Sequence, residues 1–328
     1  MGDYLYCYED LLIPEILENI FLYLDFDSLK NTRIVCWLWK NVSESVWWKM
    51  VNLNVCIENV LNVEVKNLLS NSARSIRIYK NRWHHVDPLY LNQNFTNIFN
   101  EISNSSSIKE VYIDSINFRF KDDLVDYDYY KLVSPTLLGE AISKLEKVKI
   151  DWCSFDCEQI TTIFKRISTS TNLKEMEMES IPLNKIIPPQ IIISAVKKIN
   201  IISFNLCKLS PKQLTYFYQE ISTGNTSIRN LKLIGNNQKD IEAKLFASAL
   251  IKLESLEIIN CHLSLEQLKC LFTEIGKGEN VKLKYLTLSS EDNLKNVPQD
   301  IIDSSISKLK SADIEITNHN PLRMFLFR

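Results

Sequence analysis

The chain has 328 residues, enough for one large domain or for a small one joined to a larger one. Apolar residues make up 45% and charged residues 24%, with a formal net charge of −2. Nothing at that level points to electrostatic capture of nucleic acid or of an anionic membrane surface. The opening MGDYLYCYED lacks the basic and apolar regions of a secretory signal, and Tyr6 breaks the myristoylation pattern that Gly2 would otherwise begin. No apolar run reaches the ~18–20 residues that span a bilayer. Eight irregularly spaced cysteines do not form the framework of a small secreted scaffold, so a reducing compartment, cytoplasmic and/or nuclear, is expected.

The first element follows directly. Ile13, Ile16, Leu17, Ile20, Phe21 and Leu24 recur at helical spacing and form one apolar face. Pro14 suits the first turn, where its missing N–H costs little. Asp25-Phe26-Asp27-Ser28 closes this helix and offers a cap for a second, carrying Leu29 and Val35. A third helix carries Trp39 and Trp47 or Trp48. About 40 residues rarely fold alone, so these helices either cap the following domain or bury a face against a partner. Periodicity leaves both readings open.

The residue order is more specific. Leu12-x-Pro14-Glu15-Ile16-Leu17, then Ile20-Phe21, Tyr23-Leu24, Leu29, Val35-Cys36, Trp39 and a closing Trp resembles the F-box motif over roughly residues 10 to 50. Ile13 stands where that motif has its usual Pro, and Trp37 where it is usually basic. The resemblance implies a three-helix module that docks on the Skp-type adaptor of a cullin–RING (SCF) ubiquitin ligase. It nominates Pro14, Ile16, Leu17, Ile20, Phe21, Leu24, Leu29, Val35, Cys36 and Trp39 as adaptor-facing or module-core residues, and sequence does not separate the two roles. Anchors at helical spacing suit a helix-in-groove contact.

From there on the chain repeats. Apolar residues recur at positions 1, 4, 6, 9 and 11 of a unit averaging about 30 residues. Clear copies begin at Ile108, Leu145, Leu173, Val196 and Leu253, and weaker ones at Ala73, Ile228, Leu283 and Leu309. Positions 4 and 6 share one face of a short strand. Helical stretches lie between the copies, over 211–221, 239–250 and 265–275, with Ser210 and Ser264 as N-caps and Gly276 as a stop. This resembles leucine-rich repeats. The expected fold class is α/β: a short three-helix F-box module over residues 8–50, then a curved leucine-rich-repeat solenoid over 51–318 with strands concave and helices convex, then a tail over 319–328. A doubly wound sheet fits the alternation but not the repeat spacing. The acidic, tyrosine-rich stretch over 119–135 reads as an exposed insertion.

Positions 5 and 7 of each unit should face the concave side. Position 5 reads Arg77, Tyr112, Lys149, Glu177, Asn200, Lys232, Glu257 and Thr287, a mixed, solvated row. Position 7 reads Tyr79, Asp114, Asp151, Glu179, Ile202, Ile234, Ile259 and Ser289. Ile202, Ile234 and Ile259 would then form an apolar stripe, with Tyr285, Glu179 and Asp151 at its margins, as a substrate-binding patch. Cross-strand packing or cover by the tail PLRMFLFR would explain the same stripe.

No catalytic constellation is legible, and neither a metal site nor a cofactor is expected. Six glycines build no phosphate loop, and His84, His85, His262 and His319 are scattered. Cys153 and Cys261 fall on position 9, a core slot. No basic cluster for a phosphate stands out. The expected function is substrate recognition in an SCF-type ligase, non-catalytic, with a Skp-type adaptor, cullin through it, and an unknown protein substrate as partners, and no nucleic acid or membrane. The alternative is a leucine-rich scaffold whose N-terminal helices merely cap the first repeat.

Overall fold

The computed structural model describes residues 14–21, 24, 28, 31–32, 35–50, 52–56, 74–79, 88–116, 119–120, 130–131, 133–185, 187–289 and 292–315. Helix α1 (Pro14–Phe21) starts on its proline, and α2 (Trp37–Met50) packs against it. Between them residues 28, 31 and 32 are helical. Leu29, Asp25–Asp27, Ala73, His84, His85, His319 and the 319–328 tail lie outside the described residues.

Strand and helix then alternate to the end. The order is β1 (Asn52–Cys56), β2 (Ser75–Tyr79), α3 (Pro88–Asn104), β3 (Glu110–Asp114), the small hairpin β4 (Arg119–Phe120) and β5 (Tyr130–Lys131), α4 (Pro135–Ser143), β6 (Lys147–Asp151), α5 (Cys157–Thr169), β7 (Glu175–Glu179), α6 (Pro189–Val196), β8 (Ile201–Asn205), α7 (Pro211–Thr223), β9 (Asn230–Ile234), α8 (Ala243–Leu250), β10 (Ser255–Ile259), α9 (Leu265–Lys277), β11 (Tyr285–Ser289), α10 (Gln299–Ile306) and β12 (Ser311–Glu315). All strands but the hairpin join one ten-stranded parallel sheet in chain order. Each helix packs on the next helix along the stack. A sheet with no crossover and helices on one side is consistent with a solenoid. β1 was passed over in the sequence, although Met50, Leu53, Val55 and Val60 stand at positions 1, 4, 6 and 11 of its unit.

The repeat positions have clear physical roles. Positions 4 and 6 are buried between sheet and helices, as Val148/Ile150, Met176/Met178 and Leu256/Ile258 show. Position 8 is left-handed in every fully described unit: Ser115, Trp152, Ser180, Leu206, Gly235 and Asn260 have φ between 53° and 63°. This turn keeps the ladder going, because each of these N–H groups donates to the carbonyl of position 7 on the following strand, at 2.7–3.0 Å. Side chains in that region cost energy, which glycine avoids, and a Cβ on Gly235 would meet Leu206 Cδ2.

Position 9 closes the turn. The thiols of Cys153, Cys207 and Cys261 donate to the position-7 carbonyl of their own strand and the position-6 carbonyl of the preceding one. Asn236 does the same through Nδ2, at 3.0 and 2.7 Å. Burial pushes all three thiols up to about 12, so they serve as neutral donors.

The units are of two kinds. Helices of 13 residues (α5, α7, α9) alternate with helices of 8 or 9 (α4, α6, α8, α10). Strands starting at Lys147, Ile201 and Ser255 are accordingly 54 residues apart. Each long helix opens with a capping box: Asp156–Gln159, Ser210–Gln213 and Ser264–Gln267. Gln213 and Gln267 are buried and each also donates through Nε2 to two carbonyls of the preceding unit. α9 runs past Gly276, which packs beside Ser304, and stops at Gly278 in the left-handed region, so the stop lies two residues beyond the one expected.

One repeat frame is corrected. The segment around β8 satisfies the apolar template in two frames three residues apart, from Val196 or from Ile199. The ladder decides: Met176 pairs with Ile202 and Met178 with Phe204, so the unit starts at Ile199. Ile202 is therefore a fully buried core residue and not a concave one, and Asn205 holds position 7. Position 5 is Ser203 rather than Asn200.

Candidate functional site

The N-terminal helices have their own small core. Leu17 and Phe21 of α1 are buried against Val42 and Val46 of α2, with Leu24, Leu38 and Trp39 packed around them. Phe21 and Trp39 meet edge-on, with ring centroids 5.3 Å apart. The repeat core is a separate cluster. Helical geometry then sends the neighbouring positions outward: Ile16 is 46% exposed, Ile20 48%, and Pro14 is exposed beside them. Val35 and Trp37, just before and at the start of α2, are exposed as well, Trp37 to 73%. Cys36 is half-buried.

The nominated set thus divides. Leu17, Phe21, Leu24 and Trp39 hold the module together, whereas Pro14, Ile16, Ile20 and Val35 face outward. Trp37, seen in the sequence only as a departure from the motif, is the most exposed large apolar side chain among the described residues. These exposed apolar side chains lie outside the module's own core.

The concave face carries the second candidate. Its rows are cross-braced by ion pairs: Arg77–Asp114 at 2.5 Å, Lys147–Glu175 and Lys232–Glu257 at 2.7 Å, and Lys149 with both Glu177 at 3.1 Å and Asp151 at 3.3 Å. Each half-exposed pair contributes little to stability, about 0–1 kcal/mol. Tyr112 lies between two cations, with Arg77 Cζ 4.7 Å and Lys149 Nζ 5.2 Å from its ring centroid. Asp151 is only 4% exposed. Burial lifts its carboxyl to about 6 against the opposing pull of Tyr112 and Lys149, and the neighbouring Glu179 adds to the rise.

The anticipated apolar stripe does not survive as drawn. Ile234 and Ile259 are register partners and half-buried on the concave side, but Ile202 is in the core. Tyr285 is exposed at position 3 of β11. It lies four residues along the strand from the isoleucine row, about 13 Å away. Asp151 and Glu179 do come together as register partners on β6 and β7. Where β8 offers only Ile201 and Ser203 among the charged rows, the face dips into a depression of about 240 Å³, flanked by Glu177, Lys232 and Glu257. The structure also gathers Arg229, Lys252 and Lys282 with Glu254 around a cavity of about 410 Å³ at the other edge of the sheet. The sequence showed no such cluster because its members lie at the boundaries of successive units, 23 to 30 residues apart in the chain.

Among the described residues no helix is long and apolar enough to cross a membrane. No group of three or more His, Cys, Asp or Glu among them could hold a metal ion.

The described residues form a repeat stack preceded by helices with an apolar cluster of their own. Residues 10–49 match the F-box domain family, and F-box domains in general bind Skp1-type adaptors. No curated protein sequence matches the chain.

Proposed function

We propose that this chain is the substrate-recognition subunit of an SCF-type cullin–RING ubiquitin ligase. The F-box helices over residues 8–50 bind a Skp-type adaptor, and through it cullin. The arc over 51–318, which resembles leucine-rich repeats, binds a protein substrate, and 319–328 forms a tail. The chain supplies position and no chemistry: it holds a substrate near the charged conjugating enzyme. Its location is cytoplasmic and/or nuclear. Pro14, Ile16, Ile20, Val35 and Trp37 make the adaptor contact, while Leu17, Phe21, Leu24 and Trp39 support it from below; Leu29 and Cys36 complete the module.

The observation that carries this reading is the exposed face of α1. A mere cap on the first repeat would bury Ile16, Phe21 and Leu24 against that repeat. Instead Phe21 and Leu24 are used inside the module and Ile16 is left open. Calorimetry of the full chain with a Skp-type adaptor tests it. Ile16→Asp/Ile20→Asp should abolish binding while changing thermal unfolding little, because both side chains are about half exposed and lie outside the module's buried core. Absence of binding by the unaltered, folded chain would favour the scaffold reading.

A further inference from the structure

We propose that the cavity of about 410 Å³ where the segments leading into β9, β10 and β11 meet receives the carboxylates of an acidic, extended segment of a partner protein. This rests on the reading of the chain as a receptor and names the chemistry of what it receives.

Charge is unbalanced here. Arg229, Lys252 and Lys282 line the cavity, and Glu254 is the one acidic residue among its lining. Glu254 is shared by two long contacts, Arg229 at 3.9 Å and Lys284 at 3.7 Å. Lys252 and Lys282 have no ion pair among the described residues. Further along the same edge the cations are in use. Lys109 and Lys174 both reach Glu146, Lys144 donates to Ser103 O and Lys198 to Ser168 O. The whole chain carries −2, so the excess of positive charge is local.

Backbone donors give an independent sign of a missing acceptor. Position 1 opens each unit at this edge, and its N–H is bonded in most of them. Ile108 and Leu173 donate to the hydroxyls of Ser105 and Ser170 at 3.3 Å. Leu145, Ile199, Leu253 and Leu309 donate to carbonyls at 2.9–3.2 Å. Ile228 and Leu283 differ. Asn225 and Asn280 stand where the other units that follow a long helix have Ser105 and Ser170, and the N–H groups of Ile228 and Leu283 find no acceptor among the described residues. Both residues are buried; Ile228 lines the cavity, and Leu283 follows Lys282 at its far side. An N–H without an acceptor is costly at a buried position, and a carboxylate entering between the cations would supply one.

The lining also narrows the kind of anion. No aromatic side chain lines the cavity, so it offers a nucleotide base nothing to stack on. Position 2 carries the positive charge onward. The N–H groups of Glu254, Lys284 and Lys310 each donate to the carbonyl of the position-2 residue before them, so Arg229, Glu254, Lys284 and Lys310 stand in line across four successive units. An extended acidic chain crossing the units would meet the cavity first and then Lys284 and Lys310.

Fluorescence anisotropy at low ionic strength tests this with the full chain and three labelled probes: a peptide of alternating Glu and Ser, its Gln/Ser counterpart, and a single-stranded oligodeoxynucleotide. The Glu/Ser peptide should bind best. Lys252→Glu/Lys282→Glu should weaken it about tenfold or more, as reversal of charge at a complementary contact does. Lys165→Glu/Lys212→Glu makes the same change in net charge away from the cavity and should alter binding little. Lys252 also lies at the C-terminal end of α8, where a cation suits the helix dipole. Lost thermal stability with unchanged peptide binding would therefore mark a structural role and overturn the proposal. So would preference for the oligonucleotide, no preference for Glu over Gln, or equal weakening by the two double variants. Lys252→Gln/Lys282→Gln keeps the test readable if the charge reversal fails to fold. Adaptor calorimetry on the same preparation separates the two readings. Adaptor binding without acidic-peptide binding sinks this inference alone. Acidic-peptide binding through the cavity without adaptor binding upholds it and sinks the ligase reading.

Discussion

At the scale of single residues, the charged rows of the concave face hold a carboxylate whose burial costs stability. Asp151 is that carboxylate, and the cost has a definite sign. Its carboxyl titrates near 6 in the fold, against an ordinary value of 3.8. The folded state therefore holds a proton between those values that the unfolded chain has released, so the stability cost of its charge is fully present above pH 6. That cost is relieved as pH falls through 6 and is gone below about 4. Asp151→Asn should raise unfolding stability at pH 7.5 by on the order of 1–3 kcal/mol, with the gain vanishing at pH 4. Denaturant titrations of both proteins at the two pH values check this. A gain of equal size at both would place its origin elsewhere. Position 8 tells a similar story in the backbone, since Trp152 and Leu206 accept a left-handed conformation that glycine takes at Gly235.

At the scale of elements, the long helices are stitched to their neighbours by one residue each. Gln213 caps its own helix through Oε1 and ties down Leu183 and Ile187 carbonyls through Nε2. Gln267 repeats this on Gln238 and Ile241. Gln159 forms the capping box, but its Nε2 has no partner among the described residues. Gln213→Ala and Gln267→Ala should each cost about 2–4 kcal/mol, a lost cap plus buried carbonyls left without donors, and Gln159→Ala about 1 kcal/mol. Urea unfolding of the three variants measures the order; a Gln159→Ala cost equal to the others would show that the cross-unit bonds contribute little. These residues were legible in principle. Cys153-x-x-Asp156-x-x-Gln159, Cys207-x-x-Ser210-x-x-Gln213 and Cys261-x-x-Ser264-x-x-Gln267 recur at a constant spacing. A template built on apolar positions alone passes over them, because they are polar and buried.

At the scale of the whole molecule, two separate apolar clusters imply two units that lose structure separately. Phe21→Ala removes the largest fully buried side chain of the small cluster, a loss of about 3–5 kcal/mol, comparable to all the stability so small a module can have. Hydrogen exchange should then show α1 and α2 unprotected while the strands from β3 to β11 keep their protection. Loss of protection along the sheet would mean that the repeats lean on the module. The same division explains why Leu17 and Phe21 are poor places to test adaptor binding: their loss unfolds the face rather than erasing it.

The sequence by itself determined the α/β class, the helical F-box segment, the repeat spacing and most strand positions, because local periodicity follows from strand and helix geometry whatever surrounds it. Tertiary structure decided the rest. Helical spacing put Leu17, Ile16, Phe21 and Ile20 on one broad face, and only the direction of α2 sent two of them inward and two outward. Around β8 apolar residues satisfy two frames, and only pairing with Met176 and Met178 put Ile202 in the core and Ser203 on the concave side. The carboxylates of Asp151 and Glu179 are 28 residues apart in the chain and meet because parallel register brings equal positions of successive units side by side. Which face a residue shows, and what lies beside it, depends on the neighbouring unit, and no single stretch of sequence carries that information.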